Sequence, residues 1–172
     1  MTKYAAFLRG VNVGGVNLKM AEVAKALEEA GFSNVRTILA SGNALLESRS
    51  KASDVRAKCE TALRDAFGYD AWVLAYDIDT VQKISDEYPF EREVADHHSY
   101  VTFVSDPDVL DELAALTPGP GEIIARGDGV IYWQVTRSKT LDSAMGKTMG
   151  KKRYKSSTTT RNLRTLDKVL RG

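Results

Sequence analysis

From Lys3 to Tyr76 the apolar residues alternate between the two-residue period of a strand and the 3.6-residue period of a helix, with glycines where the period changes. Lys3 to Arg9 reads as a strand. Met20 to Ala30 reads as a helix with Met20, Val23, Leu27 and Ala30 on one face and Gly31 as its stop. Val35 to Ala40 and Ala44 to Ser48 read as two strands around Ser41-Gly42-Asn43, Ala52 to Phe67 as a helix ended by Gly68, and Ala71 to Tyr76 as a further strand. That order, β-α-β-β-α-β, is the split arrangement of the ferredoxin-like fold. A short helix over Thr80 to Glu87 is expected to follow.

The charged connector Tyr88 to His98, with Pro89 inside it, suits a boundary between subdomains. Beyond it, His98 to Ser105 reads as a strand, and "SDPDVLDELAAL" as a helix capped by Asp106 with Pro107 in its first turn. Glu122 to Arg126 and Val130 to Val135 form a hairpin around Gly127-Asp128-Gly129. A last helix is expected from about Thr160 to Leu170. The expected architecture is α+β: a ferredoxin-like first subdomain over 1–88, and over 97–172 a related β-α-β-β subdomain ending in a basic helical segment. Trp72 and Trp133 sit in apolar strands and read as core.

At 172 residues the chain suits one domain or two small subdomains, and no apolar run reaches the roughly 18 residues that cross a bilayer. The first residues lack a signal-peptide pattern, so a cytoplasmic address is expected. The lone Cys59 shares a helical face with Val55, Ala62, Leu63 and Ala66, and reads as a buried structural thiol. The net charge of +1 hides a segregation: from Thr136 onward there are eleven Lys and Arg against two Asp, whereas Asp77 to Glu112 holds eleven acids and two bases. Such a basic segment suits either an external anion, a phosphate-bearing small molecule or nucleic acid, or the protein's own acidic middle.

The glycine-rich stretch "FLRGVNVGG" lies between a strand and a helix, where backbone amides often cradle phosphate. It fails the dinucleotide fingerprint, because Asn12 stands at the third position, and the triphosphate loop, because Val16 and Asn17 replace Lys and Ser or Thr. "GKT" at Gly146 to Thr148 lacks the preceding glycine and strand, and is a chance match. In the split arrangement the first loop and the Ser-Gly-Asn bend emerge at one end of the sheet. Arg9, Gly10, Asn12, Gly14, Gly15, Ser41, Gly42 and Asn43 are therefore expected around one spot at a helix N-terminus. Arginine offers a planar fork for phosphate, asparagine both donates and accepts, and glycine admits a ligand to the backbone.

These motifs, with "GFSNVRTILASGNALLES" and "TTRNLRTLDKVL" in that order, resemble the bacterial family of domain of unknown function 1697 along nearly the whole chain. The resemblance implies a two-part α+β protein and adds Thr159, Arg161 and Asn162 to the residues above; it assigns no reaction and no cofactor. Leu46 and Leu163 stand where the family often has an aromatic residue and a tryptophan, which argues against base stacking there.

Three functions compete: a phosphate-ligand module on Arg9 and Asn43 with Arg161 and nearby lysines joining, an enzyme clamping a small anion with Arg9 and Arg161, and a scaffold with complementary surfaces. No general base declares itself for the second. Asp96, His97 and His98 enter what reads as an edge strand, where successive side chains face opposite ways and make a poor metal pair. Tyr154 and Ser41 carry hydroxyls with no activating neighbour in sequence.

Overall fold

The computed structural model describes residues 1–10, 17–92 and 94–172. The protein is α+β, with two antiparallel four-stranded sheets and six helices among the described residues. The chain divides into two compact units, Met1–Gln82 with Asp167–Gly172, and Lys83–Leu166.

The first unit is built from β1 (Thr2–Arg9), α1 (Met20–Glu29), β2 (Ser33–Ile38), β3 (Asn43–Ser48), α2 (Ala52–Phe67) and β4 (Trp72–Asp77). The sheet order is β2-β3-β1-β4, so β1 and β3 are central antiparallel neighbours, as the expected arrangement requires. Strand alternation sends Tyr4, Ala6, Leu8, Ala44, Leu46 and Val73 to one face. There they pack against Val23 and Leu27 of α1 and Val55, Cys59 and Leu63 of α2. Gly68, in the left-handed region at φ +67°, ends α2 where the sequence puts the stop. Burial drives the Cys59 thiol up to about 12, with Glu60 adding to the rise and Lys58 opposing it, so the thiol is structural.

Trp72 departs from its expected core role. It is half-buried at the start of β4, with the Arg64 guanidinium 4.6 Å from its ring centroid. Arg64 is fixed there because its Nε and NH2 both donate to the carbonyl of Ala71, at 3.2 and 2.9 Å. The last residues of the chain also belong to this unit: Lys3 Nζ donates to the Gly172 carbonyl at 3.0 Å, and Gly172 is seated so closely on Ile38 and Leu45 that a Cβ would collide with both.

α3 (Ile78–Asp86) crosses from the first unit into the second. The second unit continues through β5 (His97–Val104), α4 (Pro107–Ala114), β6 (Glu122–Arg126) and β7 (Val130–Thr136). A 3-10 segment (Arg137–Asp142), α5 (Ala144–Met149) and a 3-10 turn (Lys152–Tyr154) lead to β8 (Thr158–Asn162) and α6 (Leu163–Arg171). Asp106 caps α4 as expected, accepting from the Asp108 amide at 2.9 Å. The sheet order β6-β7-β5-β8 is that of the first sheet strand for strand, so the second unit is a complete four-stranded sheet rather than the expected β-α-β-β.

Two expectations are corrected here. β5 is a central strand between β7 and β8, not an edge. The final helix begins at Leu163 rather than near Thr160, because Thr158 to Thr160 are β-branched residues that favour a strand, and Asn162 caps the helix by accepting from the Thr165 amide at 2.8 Å. The new strand is tied to the centre of the sheet by a buried network. Trp133 Nε1 donates to Thr102 Oγ1 at 3.0 Å, and that oxygen lies 2.8 Å from Thr160 Oγ1.

Thr102→Val removes the acceptor while keeping the shape, so it leaves the buried indole N–H without it and should destabilise the protein by about 1–3 kcal/mol. A shift of the urea midpoint at constant slope would register the loss, and an unchanged midpoint would show that the network contributes nothing.

Candidate functional site

The first candidate site lies at one rim of the first sheet. The ladder between β1 and β3 ends with Phe7 opposite Asn43, and is extended by the Leu8 amide donating to the Gly42 carbonyl at 2.8 Å. Arg9 and Gly10 therefore leave the sheet beside the turn Leu39 to Gly42. Gly10 and Gly42 hold φ of +75° and +92°, a region where a side chain is strained, and a Cβ on Gly10 would meet nothing within 4 Å. Leu39 also adopts a left-handed φ, +63°, and is 43% exposed. A non-glycine residue there costs of order 1–2 kcal/mol, and such outliers gather at functional sites. Nothing in the sequence signals it, because leucine is not a left-handed residue by type.

Each described residue of this rim has a definite setting. Ser41 is exposed at the tip of the turn. Asn43 is buried, and its Nδ2 donates to the Ile38 carbonyl at 2.8 Å and to Ser41 Oγ at 3.0 Å, so both amide hydrogens brace the turn. Arg9 stands opposite Trp72 and, by strand alternation, on the same sheet face as Ala5 and Phe7. That is the face opposite α1 and α2. Arg9 and Asn43 thus share a face and a rim, but not the side of the sheet on which α1 begins. Burial holds the Arg9 guanidinium below its ordinary value. Asn12, Gly14 and Gly15 lie outside the described residues.

Arg161 and Asn162 belong to the second unit. Arg161 is buried on β8 opposite Val101, and its NH1 donates to Thr159 Oγ1 at 2.9 Å and to the Thr160 carbonyl at 2.8 Å. Asn162 has its side-chain oxygen engaged as the cap of α6. Tyr154 is buried in the second core. Part of the basic C-terminal segment meets the acidic middle, since Arg153 pairs with Glu112. Among the described residues no three His, Cys, Asp or Glu are grouped to hold a metal, and no helix is long and apolar enough to cross a membrane.

Sequence reasoning weighs His97 and His98 only as a poor metal pair and misses the polar cluster that they join at the start of β5. His97, His98 and Ser99 line a pocket with Arg137 and Arg164, which the sequence separates widely and the sheet order brings together.

The whole fold has a counterpart among solved structures. It is similar to the conserved bacterial protein SP0830 from Streptococcus pneumoniae, with a TM-score of 0.81 and 23% identity over 99% of this chain and 97% of that one. At that identity the likeness shows the shared fold alone. No curated protein matches the chain. The model of the family described as "Protein of unknown function (DUF1697)" matches residues 1–132, and the chain belongs to that family.

Proposed function

We propose that the protein binds a phosphate-bearing ligand, a nucleotide or nucleic acid, at the rim formed by Arg9, Gly10, Ser41 and Gly42. The observation that carries this reading is the hydrogen bond from Leu8 to Gly42 with the pairing of Phe7 and Asn43, which sets Arg9 and Gly10 beside the Ser-Gly-Asn bend. Three features of the rim support an anion as the guest. Arg9 brings a half-buried guanidinium to the rim, whose planar fork suits phosphate oxygens. Gly10 is exposed with open space around it, which admits a ligand to the backbone, and Ser41 presents an exposed hydroxyl beside it. Asn43 fixes the turn that presents them. The glycine-rich residues Asn12, Gly14 and Gly15 belong to the same reading from sequence.

Calorimetric titration with AMP and with a short single-stranded RNA tests it. Arg9→Ala is expected to weaken binding at least tenfold while the melting temperature of the free protein changes little. If the partner is nucleic acid, affinity should fall steeply with salt, because every neutralised phosphate releases counterions. Absence of binding by the parent protein, or equal affinity of Arg9→Ala, would remove the rim as a site.

A further inference from the structure

The second unit contains a pocket of about 310 Å³ whose polar lining is His97, His98, Ser99, Arg137, Asn162 and Arg164. Three neighbouring strands assemble it. β5 begins with His97 and His98, β7 ends opposite them at Thr136 and hands the chain to Arg137, and β8 ends at Asn162 just before Arg164. The Arg137 amide donates to the Asp96 carbonyl at 2.8 Å, which fixes where that arginine leaves the sheet. Among the described residues the pocket wall carries two guanidiniums and two imidazoles, and no carboxylate.

Arg126 and Arg153, elsewhere in this unit, are paired with Asp111 and Glu112. Arg137 and Arg164 make no ion pair among the described residues. Two cations lining one pocket, with no ion-pair partner among the described residues, concentrate positive potential there. His98 registers that potential: burial first, then Arg137 and Arg164, hold its imidazole below the ordinary value. His97 Nδ1 lies 2.8 Å from the Ala95 carbonyl, and the His98 ring lies against Tyr100 with centroids 5.6 Å apart. Asp96 is the nearest acid in sequence, and it is exposed. The first turn of α6 adds the partial positive charge of a helix start.

We propose that this pocket binds a small phosphate monoester, gripped by the guanidiniums of Arg137 and Arg164, with His98 and Ser99 on its wall. The volume is at the low end for ligand pockets, which suits a monoester of a few carbons rather than a dinucleotide. Arginine forks match phosphate oxygens in pairs, and each charge-assisted bond is shorter and stronger than a neutral one. The pocket draws on none of the residues of the Arg9 rim and stands or falls without it.

The chain has two histidines, so its imidazole proton resonances give a local readout, and His98→Gln assigns them. Inorganic phosphate and glycerol phosphate should shift the His98 signal saturably and raise its pKa by about one unit, as a nearby opposite charge does. Sodium chloride at matched ionic strength should not. Arg137→Gln and Arg164→Gln, both at exposed positions, should each weaken the phosphate response at least tenfold, whereas Arg9→Ala should leave it intact. Equal shifts with chloride, or a full response in both glutamine variants with dispersed folded spectra, would overturn the proposal. So would affinity for single-stranded RNA that climbs with oligonucleotide length, because a polyanion surface rather than a monoester pocket would then be at work.

Discussion

Glu122→Ala is expected to destabilise the second unit by about 3–5 kcal/mol, because it takes one buried carboxylate away from three backbone donors at once. Glu122 is buried at the start of β6, and its Oε1 accepts from the amides of Gly119 and Ala144, each at 2.8 Å. Its Oε2 accepts from the Met145 amide at 3.1 Å. One carboxylate thus closes the loop before β6 and satisfies the first turn of α5, whose negative partner is also favoured by the helix start. Alanine leaves three amides without their acceptor, that of Met145 at a buried bond and those of Gly119 and Ala144 at part-buried ones. Glutamine keeps one accepting oxygen and should recover part of the loss. Denaturant unfolding followed by Trp133 fluorescence in a Trp72→Phe background isolates this unit. A cost below about 1 kcal/mol would mean that the amides find other partners.

Leu27→Ala is expected to cost the first unit about 2–5 kcal/mol through lost contacts and a residual cavity. Leu27 is fully buried between α1, the sheet and α2, in the cluster that holds Cys59. Cys59 therefore reports on the same core. If labelling requires opening, its rate should rise tenfold for about every 1.4 kcal/mol lost. The thiol also sets a sign for the alkaline limb of stability. Its ordinary value is 9.0 and its native value about 12, so between them the unfolded chain has released a proton that the folded chain keeps. Stability is intact below the first value and falls as pH rises toward the second. Tyr76 and Tyr132, both raised from 10.0 to about 12 chiefly by burial, act in the same direction. A pH titration of the denaturation midpoint that rose between 9 and 12 would contradict this.

The parts of the fold that local pattern controls were legible in the sequence. α2 occupies Ala52–Phe67 because its apolar face and Gly68 leave no competing boundary. The hairpin of β6 and β7 follows from the glycines around Asp128. β8 was hidden because three threonines followed by a leucine repeat look like the start of a helix until Asn162 is seen to cap it. The rim of Arg9 and the Ser-Gly-Asn bend was legible because strand order alone brings them together. The face on which Arg9 projects was not, since it depends on register. The grouping of His98 with Arg137 and Arg164 was invisible, because it rests on two strand pairings, β5 with β7 and β5 with β8, the second to a strand that the sequence did not reveal.

The C-terminal residues seated on Ile38 and Leu45 bear on how the protein is made. As the chain leaves the ribosome, β1 to β4 emerge early and can begin to pair, yet Asp167–Gly172 arrive only after the whole second unit has been made. The earliest half to appear is thus the last to receive all of its parts, and during synthesis it must keep the patch around Ile38 and Leu45 uncovered until the final turn of helix comes home.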